Sequence, residues 1–137
     1  MKQTKYQFKA LLAVGLLTLC AFATSALAAD LTESDKRVLA NYEKVHAALV
    51  ADDLAGAKKA ASDLDAAGAA LAQSETLDAA RVAFVALSDQ AVKIAAGQPG
   101  YYILHCPMVK HDWVQTSSKV ANPYAGKEMV ACGAIKK

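Results

Sequence analysis

A break in composition at Gly97-Gln98-Pro99-Gly100 constrains this chain more than any other feature. From residue 29 to 96 the sequence is rich in Ala and has no Pro, Cys, Met or Trp. A long proline-free stretch with apolar residues at three- and four-residue spacing reads as amphipathic helix. In a first helix, Leu39, Tyr42, Val45 or His46, and Leu49 share one face, with Thr32 or Ser34 as the cap. Asp52-Asp53 interrupts that pattern and suits the cap of a second helix, with Leu54, Ala57, Ala61, Leu64, Gly68 and Leu71 as its stripe. Small residues in the stripe permit close helix approach. Ser74 or Thr76 caps a third, with Leu77, Ala80, Phe84, Leu87, Ala91 and Ile94 inward. Short connections favour antiparallel neighbours. The expectation is a mainly α fold, an antiparallel helical bundle of three to four helices with a small C-terminal hairpin or irregular lobe.

The lobe is the other side of the break. Residues 97–137 hold Trp113, Pro99, Pro107, Pro123, Met108, Met129, Cys106, Cys132, His105 and His111. Tyr101-Tyr102-Ile103-Leu104 is aromatic and apolar, as a short strand is. Asn122-Pro123-Tyr124 is turn chemistry, and Met129-Val130-Ala131-Cys132 after Gly126 reads as a second run able to extend. The expected organisation is a single domain over 29–137, with a helical scaffold at 29–96 and a Cys/Met/His-bearing lobe at 97–137.

Residues 1–28 have the three-part order of a cleavable export signal. Lys2, Lys5 and Lys9 precede an apolar stretch from Ala10 to Ala23, and Ala26-Leu27-Ala28 supplies the small residues of a cleavage site. The apolar run falls short of the roughly 20 residues a membrane span takes. Leu19 stands where a lipoprotein site at Cys20 wants Gly or Ala. The expected product begins at Ala29 and is periplasmic, with 109 of the 137 residues remaining. Cleavage removes three of the 15 Lys and Arg and none of the 13 Asp and Glu, leaving a formal charge of −1. Binding to nucleic acid then has no electrostatic support.

The chemistry-bearing residues are His105-Cys106-Pro107-Met108 and Met129-Val130-Ala131-Cys132. Thiolate and thioether sulfurs select soft ions, above all Cu(I). On a continuing strand Cys106 and Met108 would face the same side. Met129 and Cys132, three apart, suit a turn or helical loop as ligands. If the segments meet, each brings two sulfurs, with His105 beside them as an auxiliary donor. Two cysteines in an exported protein most often form a disulfide, which would stabilise the fold by roughly 3 to 4 kcal/mol in the chain-entropy model, with sulfur ligation and free thiols as the other outcomes. Residue types and spacing leave both readings open. His46 reads as a satisfied, partly buried histidine, Trp113 and Tyr124 as lobe anchors, and Lys58-Lys59 as a solvated face. Ser, His and acidic residues form no recognisable catalytic arrangement and there is no Gly-rich phosphate loop, so no enzyme is expected.

From Tyr102 to Gly133 the chain resembles the bacterial domain-of-unknown-function family numbered 3347. The motifs that carry the resemblance are Cys106-Pro107-Met108, Trp113-Val114-Gln115, Asn122-Pro123-Tyr124-Ala125-Gly126 and Met129-Val130-Ala131-Cys132-Gly133. Ala47-Ala48-Leu49-Val50-Ala51-Asp52-Asp53-Leu54 is similar to the family's first helical hairpin. The resemblance implies a periplasmic metal-resistance setting and, as partner, the membrane-fusion component of a copper or silver efflux system. The expected function is Cu(I) binding or carriage through Cys106, Met108, Met129, Cys132 and His105; the alternative is a disulfide-stapled interaction module that binds no metal. Lys110-His111-Asp112 departs from the family's commoner small, Gly-bearing stretch and puts His111 in doubt as a ligand.

Overall fold

The computed structural model describes residues 30–136, and the expected export leader, Cys20 included, lies outside the described residues. The chain enters its first helix, α1 (Glu33–Val50), through a capping box. The Thr32 hydroxyl accepts from the Asp35 N–H at 3.1 Å, and the Asp35 carboxylate accepts from the Thr32 N–H at 3.2 Å. Leu39, Tyr42, Val45, His46 and Leu49 form the buried face. At the other end the Asp53 N–H reaches the Ala48 carbonyl at 2.8 Å and the Asp52 N–H reaches that of Leu49 at 3.2 Å. This paired closure turns Asp52 to a φ of 56°, a left-handed position that Asp tolerates better than most residues. Asp53 then caps α2 (Leu54–Ala61) by accepting from the Gly56 N–H at 2.9 Å.

The second expected helix is not continuous. After α2 the chain tightens into a 3-10 turn, Ser62–Leu64, and restarts as α3 (Asp65–Ala72). The carbonyl of Asp63 is taken by the Asn41 side chain of α1 at 3.2 Å, and the Ser62 hydroxyl bonds back to the Lys58 carbonyl at 3.0 Å. Gly68 sits where a Cβ would lie 1.8 Å from the Ala61 carbonyl oxygen, so α3 folds onto the end of α2 at a distance only glycine allows. The inward stripe survives the break: Ala57, Ala61, Leu64 and Leu71 are all buried. Helix α4 (Leu77–Ala95) is capped by Thr76 and buries Ala80, Phe84, Leu87 and Ala91, with Leu77 and Ile94 packed at the margin. The fold is mainly α, four helices followed by a small antiparallel sheet.

The sheet has strand order β2-β1-β3, with β1 at Tyr102–Cys106, β2 at His111–Gln115 and β3 at Ala134–Ile135. The expected strand at Tyr101–Leu104 is present, shifted by one residue at its start. Its hairpin partner is β2, joined by the turn at residues 107–110, not the 129–132 run. Lys127–Met129 is a 3-10 turn, and the Cys132 N–H bonds to the Met129 carbonyl at 2.9 Å, so that run curls rather than extends. Ile103 and Val114 join the helical core, whereas Leu104, Cys106 and Trp113 build a second cluster with Tyr102, Val109, Val120, Tyr124 and Cys132 around it. Tyr42 links helices to sheet. Its ring stacks on Phe84 with centroids 4.9 Å apart, and its hydroxyl contacts Ser88 at 2.8 Å and accepts from the Val114 N–H at 3.2 Å. No helix among the described residues is long and apolar enough to cross a membrane.

Candidate metal and thiol site

Strand β1 ends at Cys106, and the turn after it determines what surrounds that sulfur. The Lys110 N–H closes the turn on the Cys106 carbonyl at 2.8 Å, with Lys110 at a φ of 60°. The turn keeps the Met108 and Val109 backbone close to the Cys106 sulfur, and the Asn122 side chain also lies near it. Cys132 arrives from the other direction, on the loop after the 3-10 turn, and its Sγ lies 2.7 Å from that of Cys106. Both are free cysteines, Cys106 fully buried and Cys132 partly exposed. Burial by itself would raise the Cys106 pKa. The hydrogen bonds from Cys132, Val109, Met108 and Asn122 together outweigh it and hold the thiol below its ordinary value. Cys132, whose thiol is held by Cys106 and partly desolvated, is pushed the other way.

The loop that carries Cys132 is fixed by polar groups. Asn122 is fully buried; its amide donates to the Cys132 carbonyl at 2.8 Å and its oxygen accepts from the Tyr124 N–H at 2.8 Å. Gly133 has a φ of +142°, and a Cβ there would come within 2.5 Å of the Trp113 ring, so glycine lets the chain pass directly over the indole. Trp113 donates to Gln115 at 2.9 Å, and Gln115 in turn holds the carbonyls of Ser117 and Lys119 and the N–H of Ala121. Three bonds tie this loop to the helical part, and an Arg81–Asp52 pair braces two of them. His46 meets the Ala121 carbonyl at 2.8 Å, and Arg81 donates to the Pro123 carbonyl at 3.2 Å and pairs with Asp52. The Asp52 carboxylate also accepts from the Lys127 N–H at 3.3 Å.

Of the five expected ligands, the fold brings two sulfurs together and sends the imidazole elsewhere. Met108 lies on the turn beyond the strand end, 68 % exposed, so it does not share a strand face with Cys106. Met129 is 37 % exposed, on the 3-10 turn. His105 alternates with its buried neighbours Leu104 and Cys106, so it projects from the other face. There its Nδ1 bonds to Asp112 at 2.7 Å, and Asp112 also accepts from Lys136 at 2.6 Å. Burial acts to raise the Asp112 pKa, but the Lys136 and His105 bonds prevail and hold it below the usual carboxylate value. His111 packs on the Tyr124 ring with centroids 5.2 Å apart and lines an open apolar cleft of about 540 Å³ with Val82, Val85 and Val109.

Sequence reasoning missed Asn122 as a positioning residue, having read it only as turn chemistry, and missed the whole of β2. Nothing local distinguishes an Asn that shapes its own turn from one that also reaches a carbonyl ten residues away. Among the described residues no group of three or more His, Cys, Asp or Glu side chains is placed to hold a metal ion. A closed Cys/His zinc site needs four such donors. Two thiols with thioethers nearby in sequence are a donor set for a soft, low-coordinate ion. Comparison with family models, with curated proteins and with solved structures finds no match to this chain.

Proposed function

We propose that this is a periplasmic Cu(I)-binding protein, a carrier or accessory module for metal efflux, and that Cys106 and Cys132 are its principal donors. The observation that carries the reading is the meeting of two cysteines, 26 positions apart, with their sulfurs 2.7 Å from each other. Thiolate is the ligand form, and hydrogen bonds that stabilise it before metal arrives lower the cost of losing the proton. Met108 and Met129 are supplementary donors whose exposure leaves them free to approach an incoming ion. His105 is left out of the set because its ring is held by Asp112 on the other face. The export leader, the antiparallel helical bundle as support for the lobe, and a membrane-fusion efflux component as partner belong to the same proposal. They rest on the leader pattern, the helical periodicity and the motif resemblance.

The test is competition for Cu(I) between the reduced protein and a Cu(I) chelator. Stoichiometric binding is expected. Cys106→Ser and Cys132→Ser should each weaken it strongly, since a hard hydroxyl replaces a soft sulfur. Met108→Leu and Met129→Leu should weaken it moderately and leave the fold intact, and His105→Ala should leave binding unchanged. Equal, weak binding by reduced and oxidised protein would overturn the assignment.

The 2.7 Å sulfur contact also favours a second reading, in which the pair closes as a disulfide and the protein is a metal-free interaction module. Under that reading both cysteine variants lose stability together, and the methionine variants do not change copper uptake.

A further inference from the structure

The two sulfurs are paired but not equivalent. Cys106 lies fully buried beside Leu104 and Trp113, where the strand turns into the tight loop that Lys110 closes on the Cys106 carbonyl. Cys132 is partly exposed, on a loop whose carbonyl is pinned by Asn122. An outside reagent therefore meets Cys132 first.

We propose that this pair carries a second activity, thiol–disulfide exchange with an external disulfide or thiol, entered through Cys132 and resolved by Cys106. It uses the sulfurs assigned to copper but rests on their pairing and unequal burial, not on copper itself. In the oxidising direction Cys132, its proton lost to water, attacks one sulfur of an external disulfide. A Cys132–sulfur bond forms, the external S–S bond breaks, and one external thiolate leaves. Cys106, giving its proton to water, then attacks the Cys132 sulfur, forming the internal S–S bond and expelling the second external thiolate; the two external thiolates take up the two protons released. Two protein thiols are oxidised and one external disulfide is reduced to two thiols. The sulfurs have to close only from 2.7 Å to the roughly 2.05 Å of a bond.

Reduction reverses the path. An external thiolate attacks the partly exposed Cys132 sulfur, the internal S–S bond breaks, and Cys106 leaves as a thiolate that takes up a proton from water. While the internal bond is closed, neither thiolate is available to Cu(I), so the exchange state sets copper occupancy.

The experiment exposes reduced protein to glutathione disulfide, quenches with acid over a time course and maps adducts by peptide mass, where Cys20 falls in a peptide of its own. In the unaltered chain the first adduct is expected on Cys132, decaying as the Cys106–Cys132 disulfide appears. In Cys106→Ala the Cys132 adduct should persist, and in Cys132→Ala the remaining Cys106 should react at least about tenfold more slowly. A first adduct on Cys106, or a Cys132 adduct that persists in the unaltered chain, overturns the proposal. If Cys106→Ala does not fold, as read from the fluorescence of the single, buried Trp113, the time course of the unaltered chain decides alone. Cu(I) competition on the same reduced sample separates the two ideas. Stoichiometric copper binding without exchange sinks only the exchange, and exchange without copper binding sinks only the carrier.

Discussion

The helices and the sulfur-bearing lobe are held together by different forces. Between α1 and α4 the interior is apolar: Leu39, Val45, Leu49, Ala61, Leu71, Phe84 and Ala91 are almost wholly removed from water. The stretch from Gln115 to Gly133 has little of this. It is organised by side chains that bond to backbone, chiefly Asn122, Gln115 and Tyr124, whose hydroxyl donates to the Asp112 carbonyl at 3.0 Å. Apolar contacts are non-directional, so a helix face tolerates exchange of one aliphatic side chain for another of similar volume. Hydrogen bonds to a loop are directional, and each places one backbone group. The difference teaches why the two cysteines meet in the lobe: a network that places single atoms is what brings two distant sulfurs into contact.

The sharpest way to break this contrast is to attack the apolar side. Phe84 is fully buried, stacked on Tyr42 and 5.7 Å between centroids from Tyr124. Phe84→Ala should cost roughly 3 to 5 kcal/mol, the usual range for emptying an aromatic site in a core. Urea denaturation followed by far-UV circular dichroism measures it, and a loss no larger than that of a surface substitution would contradict the packing described.

A smaller and more selective effect is expected in the lobe. Asn122→Ala leaves the Cys132 carbonyl and the Tyr124 N–H without their partner, which costs about 1 to 3 kcal/mol. Helix content should be retained, while the internal Cys106–Cys132 disulfide forms more slowly on oxidation because the Cys132 loop is no longer held. If helicity and thiol pairing fall together, the two regions do not differ in the way proposed.

The smallest effect lies at the seam. Burial is the main cause that holds the His46 pKa below 6.5, against the opposing bond to the Ala121 carbonyl and the charge of Glu43. The ring is thus neutral when folded, and the unfolded state takes up a proton more readily as the pH falls. The stability it contributes is complete above about pH 6.5 and is lost as the pH falls through the lower folded value. The urea midpoint should therefore drop between about pH 7.5 and pH 5, and the drop should shrink in His46→Gln. An equal drop in both proteins would assign the pH dependence to other groups.

What the sequence by itself determined was local. Thr32, Asp53 and Thr76 each cap a helix because a short polar side chain reaches the N–H three residues on. The inward faces of α1 and α4 follow from a period of 3.6 residues, and the Asn122 turn is read from its own side chain. Tertiary structure decided everything that joins distant positions. The 62–64 break depends on Asn41 of another helix and on Gly68 meeting Ala61. The partner of β1 is β2 because that register puts Leu104 opposite Trp113 and Cys106 opposite His111. The meeting of Cys106 with Cys132, and the departure of His105 to Asp112, come from strand alternation combined with a loop passing over Trp113 at Gly133. Local patterns record where a side chain sits on its own element; they carry no information about which element lies opposite, and both sulfurs of the candidate site are of that second kind.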